Sequence, residues 1–242
     1  MKRREIVRTL FASVLFGALL LPATVRAQNY VVVGQVMPDF TLPAWQGGEW
    51  SPAQARGKNV LLVFPRGLAG QDWCHICNYQ YAELAELDRT EGLRTRYDLE
   101  VVFVLPYDRD MVQAWVDDFA PQLEDIHNWK NPADPASLDE RGRSRMERYR
   151  ALFPKEFRYS PGEVPLPFPL LIDADRSVSR RLGLFTEDWN GAQVPQNIPT
   201  IYLLDREGTV QFKYHSQSTV DRPGADYLVR FIQRMMTGRP GR

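Results

Sequence analysis

Apolar runs alternate with polar, helix-spaced stretches along most of this chain. Continuous apolar runs of this kind are typical of strands buried on both faces. They occur at 59–64 (NVLLVF), 101–105 (VVFVL) and 169–172 (PLLI). Apolar residues at helical spacing follow each run, at about 73–87, 108–120 and 177–182. The pattern predicts strands that alternate with helices and therefore a parallel sheet.

The last third of the chain changes this pattern. The segments 201–204 and 209–214 are strand-like and flank the turn sequence DREG, which indicates a hairpin. An amphipathic helix is predicted over 225–236. The element order is then βαβαββα, and we predict an α/β fold with a central mixed sheet flanked by helices.

The N-terminus has the pattern of an export signal. Its first residues are basic, with Lys2, Arg3, Arg4 and Arg8. An apolar run over 10–21 is short for a membrane span, Pro22 interrupts it, and Val25-x-Ala27 supplies small residues for cleavage. We predict a signal peptide at 1–27, a mature domain at 28–242 without a membrane segment, and a periplasmic or secreted protein. An uncleaved membrane anchor is the alternative.

Cleavage would change the charge of the chain. The whole sequence has 30 Lys and Arg against 30 Asp and Glu, and residues 1–27 hold five of the former and one of the latter. The remaining 25 basic and 29 acidic residues give a net charge of −4. Binding to nucleic acid usually needs a basic face, so no nucleic-acid partner is expected.

An insertion is predicted at about 121–167, between a helix and a strand. Its middle, 137–153, is charged and helix-like, and its ends are rich in proline. We expect a lid or a partner surface, with a solvated excursion as the alternative. We predict that the segment modulates partner choice and that its deletion leaves the reactivity of Cys74 toward a small disulfide nearly unchanged.

Only two cysteines are present, at positions 74 and 77. A disulfide between them closes a four-residue loop, which is worth about 2 kcal/mol against about 3 kcal/mol for fifteen residues. A chain of this size hardly needs that contribution. The C-x-x-C spacing suits reversible exchange, in which one thiolate attacks and the other resolves the mixed disulfide. A structural zinc site would need further ligands, which the sequence does not offer beside His75.

The surroundings of the pair assign different roles to the two thiols. Cys74 follows a buried strand and a turn-rich loop and lies near a helix N-terminus, which favours a thiolate. Cys74 is therefore the predicted nucleophile, facing solvent, and Cys77, one turn later, the predicted resolving cysteine. His75 either adds positive charge beside the thiolate or is an exposed spacer. Trp73 either covers the sulfur or only packs.

Several segments resemble the peroxiredoxin-like proteins of the AhpC/TSA redoxin group. RGLAGQDWCHICNYQYAEL, at 66–84, is similar to the group's W-C-x-x-C signature. Three further segments resemble its opening, its third strand and its closing hairpin: GQVMPDFTLP at 34–43, FPLLIDADRSVSRRLGLF at 168–185, and the stretch that begins IPTIYLLDREG at 198.

The resemblance implies a thioredoxin-like fold and an oxidoreductase. It implies that the Ile198–Pro199 bond is cis and that Pro199 faces the Cys74 sulfur. No cofactor is expected beyond the redox-active Cys74–Cys77 disulfide, which an external, thioredoxin-like thiol donor would reduce.

The chain departs from the family pattern around the thiols. Typical members carry P-x-x-x-T-x-x-C, whereas this chain has Gly67 and Gln71 at the proline and threonine positions. It also has Pro199 where those enzymes have an arginine. Arg66 or Arg222 are candidates to replace it, although the sequence does not place either one.

Three functions therefore remain open. The first is a thiol–disulfide oxidoreductase that acts on proteins or small disulfides. The second is a thiol peroxidase with an antioxidant role that recycles through the same pair. The third is a binding module that keeps a structural disulfide without enzymatic activity. The departures from the family pattern favour the first.

Overall fold

The central element of the structure, a computed structural model that describes residues 30–237, is a five-stranded sheet. The predicted signal peptide at 1–27 lies outside the described residues. The strands are β1 (Leu42–Pro43), β2 (Glu49–Trp50), β3 (Asn59–Phe64), β4 (Leu99–Leu105), β5 (Leu170–Ile172), β6 (Phe185–Thr186), β7 (Gln196–Asn197), β8 (Thr200–Leu204) and β9 (Val210–His215). The helices are α1 (His75–Glu91), α2 (Leu93–Tyr97), α3 (Arg109–Asp117), α4 (Phe119–Lys130), α5 (Glu140–Leu152), α6 (Ser177–Arg181) and α7 (Ala225–Thr237).

The sheet is mixed, as the sequence predicts. Its strand order is β5-β4-β3-β8-β9, with β3, β4 and β5 parallel and β8 antiparallel to both β3 and β9. The three parallel strands are the three apolar runs, and β8 and β9 are the predicted hairpin. The predicted thioredoxin-like α/β fold is confirmed, with β3 in the centre of the sheet and the thiol pair directly beyond it.

Both faces of the sheet are buried, which is why its central strands are apolar throughout. In β3, Leu61 and Val63 face a large core that includes α1, α3, α4 and α7, while Leu62 and Phe64 face a second core on the opposite side. All six residues of β3 are buried. Burial of each large apolar side chain contributes roughly 1.5–3 kcal/mol to folding, so this strand is a rigid base for the residues that follow it.

The helix predicted over 108–120 is two helices. Helix α3 ends at Asp117, and α4 starts at Phe119. Pro121 lies in the first turn of α4, where a proline is tolerated because the first amides of a helix have no intrahelical partner. A proline that signals the end of one helix in the sequence therefore belongs to the beginning of the next.

Residues 121–167 do not behave as one solvated excursion. Helix α4, most of which lies in this segment, contributes Leu123 and Ile126 to the main core, and Phe153 and Phe157 are also buried there. By contrast, α5 has no buried residue. We therefore expect deletion of the segment to remove part of the core, and not merely a partner surface.

The peptide bond before Pro199 is trans, so the prediction of a cis bond is wrong. No cis peptide bond occurs in residues 30–237. The trans form of an X–Pro bond is favoured by about 0.5–1 kcal/mol. Here both neighbours are held by backbone hydrogen bonds: Ile198 N–H donates to Leu184 at 2.7 Å, and Pro199 C=O accepts from Ser216 at 2.9 Å. Contact between Pro199 and the Cys74 sulfur stays a prediction.

Candidate active site

The loop 65–74 connects the C-terminal end of β3 to α1 and places the thiols at the first turn of that helix. Cys74 is the N-cap residue of α1, with φ −74° and ψ 100°, and its N–H donates to Gly67 C=O at 2.9 Å. Gly67 has φ +80°, and a Cβ at this position would overlap the hydroxyl and ring of Tyr107. Glycine is therefore required by the conformation and by the close approach of Tyr107.

The two thiols are in contact. The Cys77 Sγ lies 2.9 Å from the Cys74 Sγ and donates a hydrogen bond to it, and Arg66 N–H donates to Cys77 Sγ at 3.3 Å. Both cysteines are free thiols. Cys74 is 5% exposed and Cys77 1%. The order of accessibility is the predicted one, but Cys74 is much less open to solvent than its helix-end position suggested.

The pKa values of the two thiols shift in opposite directions. The pKa of Cys74 is lowered to about 6, mainly by the hydrogen bond from the Cys77 thiol. Burial opposes this, and Arg222, the Cys77 N–H and Arg66 add to it. The pKa of Cys77 is raised well above 9.0, first by burial and then by its bond to Cys74 and the charge there. At neutral pH the site thus holds a thiolate at Cys74 and a thiol at Cys77.

Two arginines supply the positive charge beside the thiols. Arg222 lowers the pKa of both cysteines, and Arg66 also lowers that of Cys74. Their guanidinium carbons lie 5.9 Å and 5.1 Å from the centre of the Trp189 ring. Arg66 Nε donates to Gln196 Oε1 at 2.7 Å. The structure thus brings both sequence-named arginines to the same site, although neither occupies the usual family position.

The Arg222 side chain is buried but only partly hydrogen-bonded. Its side chain is 4% exposed, and Nη1 donates to Ser216 Oγ at 2.9 Å and to Ser218 C=O at 3.1 Å, with Asp221 at 3.2 Å. Its Nε and Nη2 are buried and have no hydrogen-bond partner among the described residues. A buried, incompletely paired guanidinium strongly favours a negative charge nearby, which fits a thiolate at Cys74.

His75 and Trp73 both pack against neighbouring aromatic rings. The His75 ring lies against Trp129 of α4, with ring centroids 4.4 Å apart, and its Nε2 is 3.4 Å from the Asp125 carboxylate. Trp73 is buried and packs edge-on against Tyr107 at 5.4 Å. The positive charge beside the thiolate comes from the arginines, and His75 instead connects the thiol turn to α4.

Sequence reasoning missed the polar residue that attaches α4 to the thiol turn. Gln122 is 2% exposed, donates through Nε2 to the Trp73 C=O at 2.9 Å, and accepts from Asn78 at 3.2 Å. The signal was present in the sequence, because Phe119, Leu123 and Ile126 have helical spacing and place Gln122 beside the buried face. The prediction that the helix ends at about 120 and an insertion begins at about 121 concealed it.

A thioredoxin-like sheet that carries two unlike thiols at a helix N-terminus defines a thiol oxidoreductase. More particularly, the chain belongs to the AhpC/TSA family, whose model matches residues 33–213. The predicted family and enzyme class are thereby confirmed. No curated protein matches the chain.

Solved peroxiredoxins share the fold at low sequence identity. The chain is similar to a cysteine-to-serine mutant of peroxiredoxin 6 of Arenicola marina, with a TM-score of 0.56 and 12% identity over 86% of this chain and 74% of that one. It is also similar to reduced 2-Cys peroxiredoxin of Plasmodium vivax, with a TM-score of 0.52 and 17% identity over 86% and 82%. No helix within residues 30–237 has the length and apolar character that a membrane crossing requires.

Proposed function

We propose that this protein is a thiol–disulfide oxidoreductase that cycles Cys74 and Cys77 between dithiol and disulfide. The observation that supports it best is the 2.9 Å contact between two sulfurs whose pKa values are shifted in opposite directions. Attack by a thiolate and resolution by a neighbouring thiol require this pairing. A structural disulfide does not need a lowered pKa at one of its two thiols.

The proposed reaction begins at the Cys74 thiolate. Its sulfur attacks one sulfur of the substrate disulfide, the substrate S–S bond breaks, and the first substrate thiolate leaves and takes up a proton. Cys77 then loses its proton and attacks the Cys74 sulfur, which releases the second substrate thiol. Two electrons pass to the substrate, and the protein is left with a Cys74–Cys77 disulfide that an external thiol donor reduces.

Trapping and titration test this assignment. Cys77→Ser should accumulate mixed disulfides with its partners, while the matched Cys74→Ser should accumulate none. Alkylation of Cys74 in the reduced protein should rise with pH around a midpoint near 6, since only the thiolate reacts. Preferential trapping through Cys77, or a midpoint near that of an ordinary thiol, would contradict the assigned roles.

A thiol peroxidase is the second candidate, and the burial of the nucleophile favours it. Cys74 is 5% exposed and the charges of Arg222 and Arg66 act on it, an arrangement that admits a small peroxide more easily than a folded protein. In this reaction the thiolate attacks a peroxide oxygen, the O–O bond breaks, and an alcohol or water leaves with a proton. Cys77 then attacks the resulting sulfenic acid and releases water.

Peroxide and disulfide separate the two candidates on the same protein. The Cys77→Ser protein is mixed with hydrogen peroxide or with a small disulfide, and the rates of sulfenic acid and mixed disulfide formation are compared. Faster reaction with the disulfide supports the proposal, and faster reaction with peroxide replaces it with the peroxidase. A reduction potential of the pair below about −300 mV would instead indicate a structural disulfide and a binding module.

Export to the periplasm or the medium is the second part of the proposal. It is supported by the basic start, the apolar run and the Val25-x-Ala27 pattern. The exported protein should begin at Gln28, which intact-mass measurement can determine. Recovery of the uncleaved chain from the cytoplasm alone would contradict it.

A further inference from the structure

Helix α5 exposes a row of arginines. Arg141, Arg145 and Arg148 are spaced i, i+4 and i+7, all three are exposed, and together with Glu140 and Ser144 they line one open groove. From Arg141 to Arg148 the helix rises about 10 Å. Among the residues that the structure describes, none of the three arginines forms an ion pair.

This row differs in charge from the rest of the chain. Helix α5 contains five arginines and two glutamates, a net charge of +3, whereas residues 28–242 as a whole have a net charge of −4. Like charges at i and i+4 destabilise an isolated helix. Contact with an acidic surface would remove this repulsion, and the charge pattern is complementary to such a surface.

The helix that carries the row is connected to the thiol turn through packed aromatic rings. On its inner side, α5 packs through Tyr149 against Trp129 of α4, with ring centroids 4.9 Å apart, and Trp129 packs against His75 at 4.4 Å. His75 is adjacent to Cys74 in the chain. A standard protein interface covers about 800 Å² on each partner, a patch about 30 Å across, which is wide enough to include both α5 and the thiol turn.

We propose that the Arg141–Arg145–Arg148 row is the docking surface for an acidic dithiol protein that reduces the Cys74–Cys77 disulfide. The inference rests on the proposed function and adds the place where the thiol donor binds and the charge of the surface that it presents. In the reaction the partner's two thiols become a disulfide, and two electrons and two protons pass to Cys74 and Cys77. A protein fits the row better than a polyanion does, because Glu140 lines the N-terminal end of the same groove and would repel a continuous anionic chain.

Reduction kinetics with three reductants test the proposal. The oxidised protein is reduced by a thioredoxin-type protein of net negative charge, by a variant of that protein made net positive, and by dithiothreitol. The triple variant Arg141→Gln, Arg145→Gln, Arg148→Gln should lower kcat/KM for the acidic protein about tenfold, chiefly through a slower association. A rise from ~20 to ~200 mM salt should lower the rate of the unmodified protein and have little effect on the variant.

The control variant removes the same number of positive charges from a different part of the surface. Arg96→Gln, Arg230→Gln, Arg234→Gln removes three exposed arginines from α2 and α7. It should leave the rate with the acidic protein unchanged, and neither triple variant should alter reduction by dithiothreitol. Thermal unfolding checks that both variants are folded.

Each of the other outcomes contradicts the proposal that the arginine row is the docking surface. An equal loss in both triple variants indicates a general charge effect, and no loss in either shows that the row is not used. Failure of the acidic protein to reduce the unmodified protein excludes this class of donor. Binding of heparin through the row, with no change in reduction, assigns it to a polyanion. If dithiothreitol also fails to regenerate an active dithiol, the proposed function itself fails.

Discussion

Helices α4 and α5 lie side by side in the same predicted insertion, yet they belong to different parts of the molecule. Helix α4 buries Phe119, Leu123 and Ile126 in the main core, whereas α5 buries no residue. Helix α4 also contacts the thiol turn, through Gln122 and Asp125. The comparison teaches that a segment that looks like an insertion in the sequence can still belong to the core of the fold. Its first helix, α4, packs in the core and contacts the thiol turn.

The largest effect is expected when the whole segment that contains both helices is removed. Deletion of residues 121–167 should abolish cooperative unfolding, because it takes away most of α4 together with Phe153 and Phe157 from the core. Urea unfolding followed by tryptophan fluorescence would measure this. A shortened protein that still unfolds cooperatively and keeps a reactive Cys74 would show that the segment is peripheral after all.

A single side chain at the end of α5 should have the next largest effect. Phe153 is 1% exposed and packs against Tyr79 at 4.9 Å and against Tyr149 at 6.3 Å. Phe153→Ala should lower the free energy of unfolding by about 3–5 kcal/mol, because it leaves a cavity in the core.

The matched control for Phe153 is Glu147→Ala on the exposed face of α5. This substitution should change the free energy of unfolding by no more than about 0.5 kcal/mol. Equal losses of unfolding free energy for the two substitutions would mean that the exposed face of α5 contributes to the core as much as Phe153 does. That result would contradict the description of α5 as a surface helix.

The same contrast shows what could be predicted from the sequence. The apolar runs located β3, β4 and β5 to within two residues, since a strand buried on both faces leaves a continuous apolar signal. The C-x-x-C spacing located the thiol pair for a similar reason, because its geometry is fixed by one helical turn. Features of this kind depend on residues that are near one another in the chain.

Features that depend on distant residues could not be predicted in this way. Arg222 comes to the thiols from the loop between β9 and α7, and no spacing in the sequence reports that approach. The bond before Pro199 was expected to be cis by resemblance, while hydrogen bonds to Leu184 and Ser216 hold the surrounding backbone in its observed form. Both outcomes are decided by the packing of the complete chain.

The polar contact between α4 and the thiol turn should have an intermediate effect. Gln122→Ala leaves the Trp73 C=O and the Asn78 amide without this partner in a buried place. An unsatisfied buried group costs about 1–3 kcal/mol, and we expect a loss of unfolding free energy in that range.

The neighbouring Glu124→Ala provides the comparison for Gln122. Glu124 is half-buried and its ion pair with Arg158, at 3.4 Å, involves a largely exposed guanidinium. Its removal should change the unfolding free energy by about 1 kcal/mol or less. Urea unfolding of the reduced proteins measures both variants, and a larger loss for Glu124→Ala would place the attachment of α4 elsewhere.

The smallest expected effect tests whether Asp125, which contacts the thiol turn at His75, also influences the pKa of Cys74. Asp125 lies 3.4 Å from His75 and its side chain is 58% exposed, so its charge is well screened by solvent. Asp125→Asn should therefore leave the Cys74 pKa near 6, as measured by the pH dependence of alkylation.

Arg222→Met is the contrasting variant: the charge of Arg222 favours the Cys74 thiolate, and its loss should raise that pKa. Because the lowered pKa means that the unfolded chain binds more protons than the folded one, the stability of the reduced protein should rise from about pH 6 to about pH 9. This rise should persist in Asp125→Asn and diminish in Arg222→Met. A higher Cys74 pKa after Asp125→Asn would instead show that α4 controls the thiolate as well as supporting the turn that carries it.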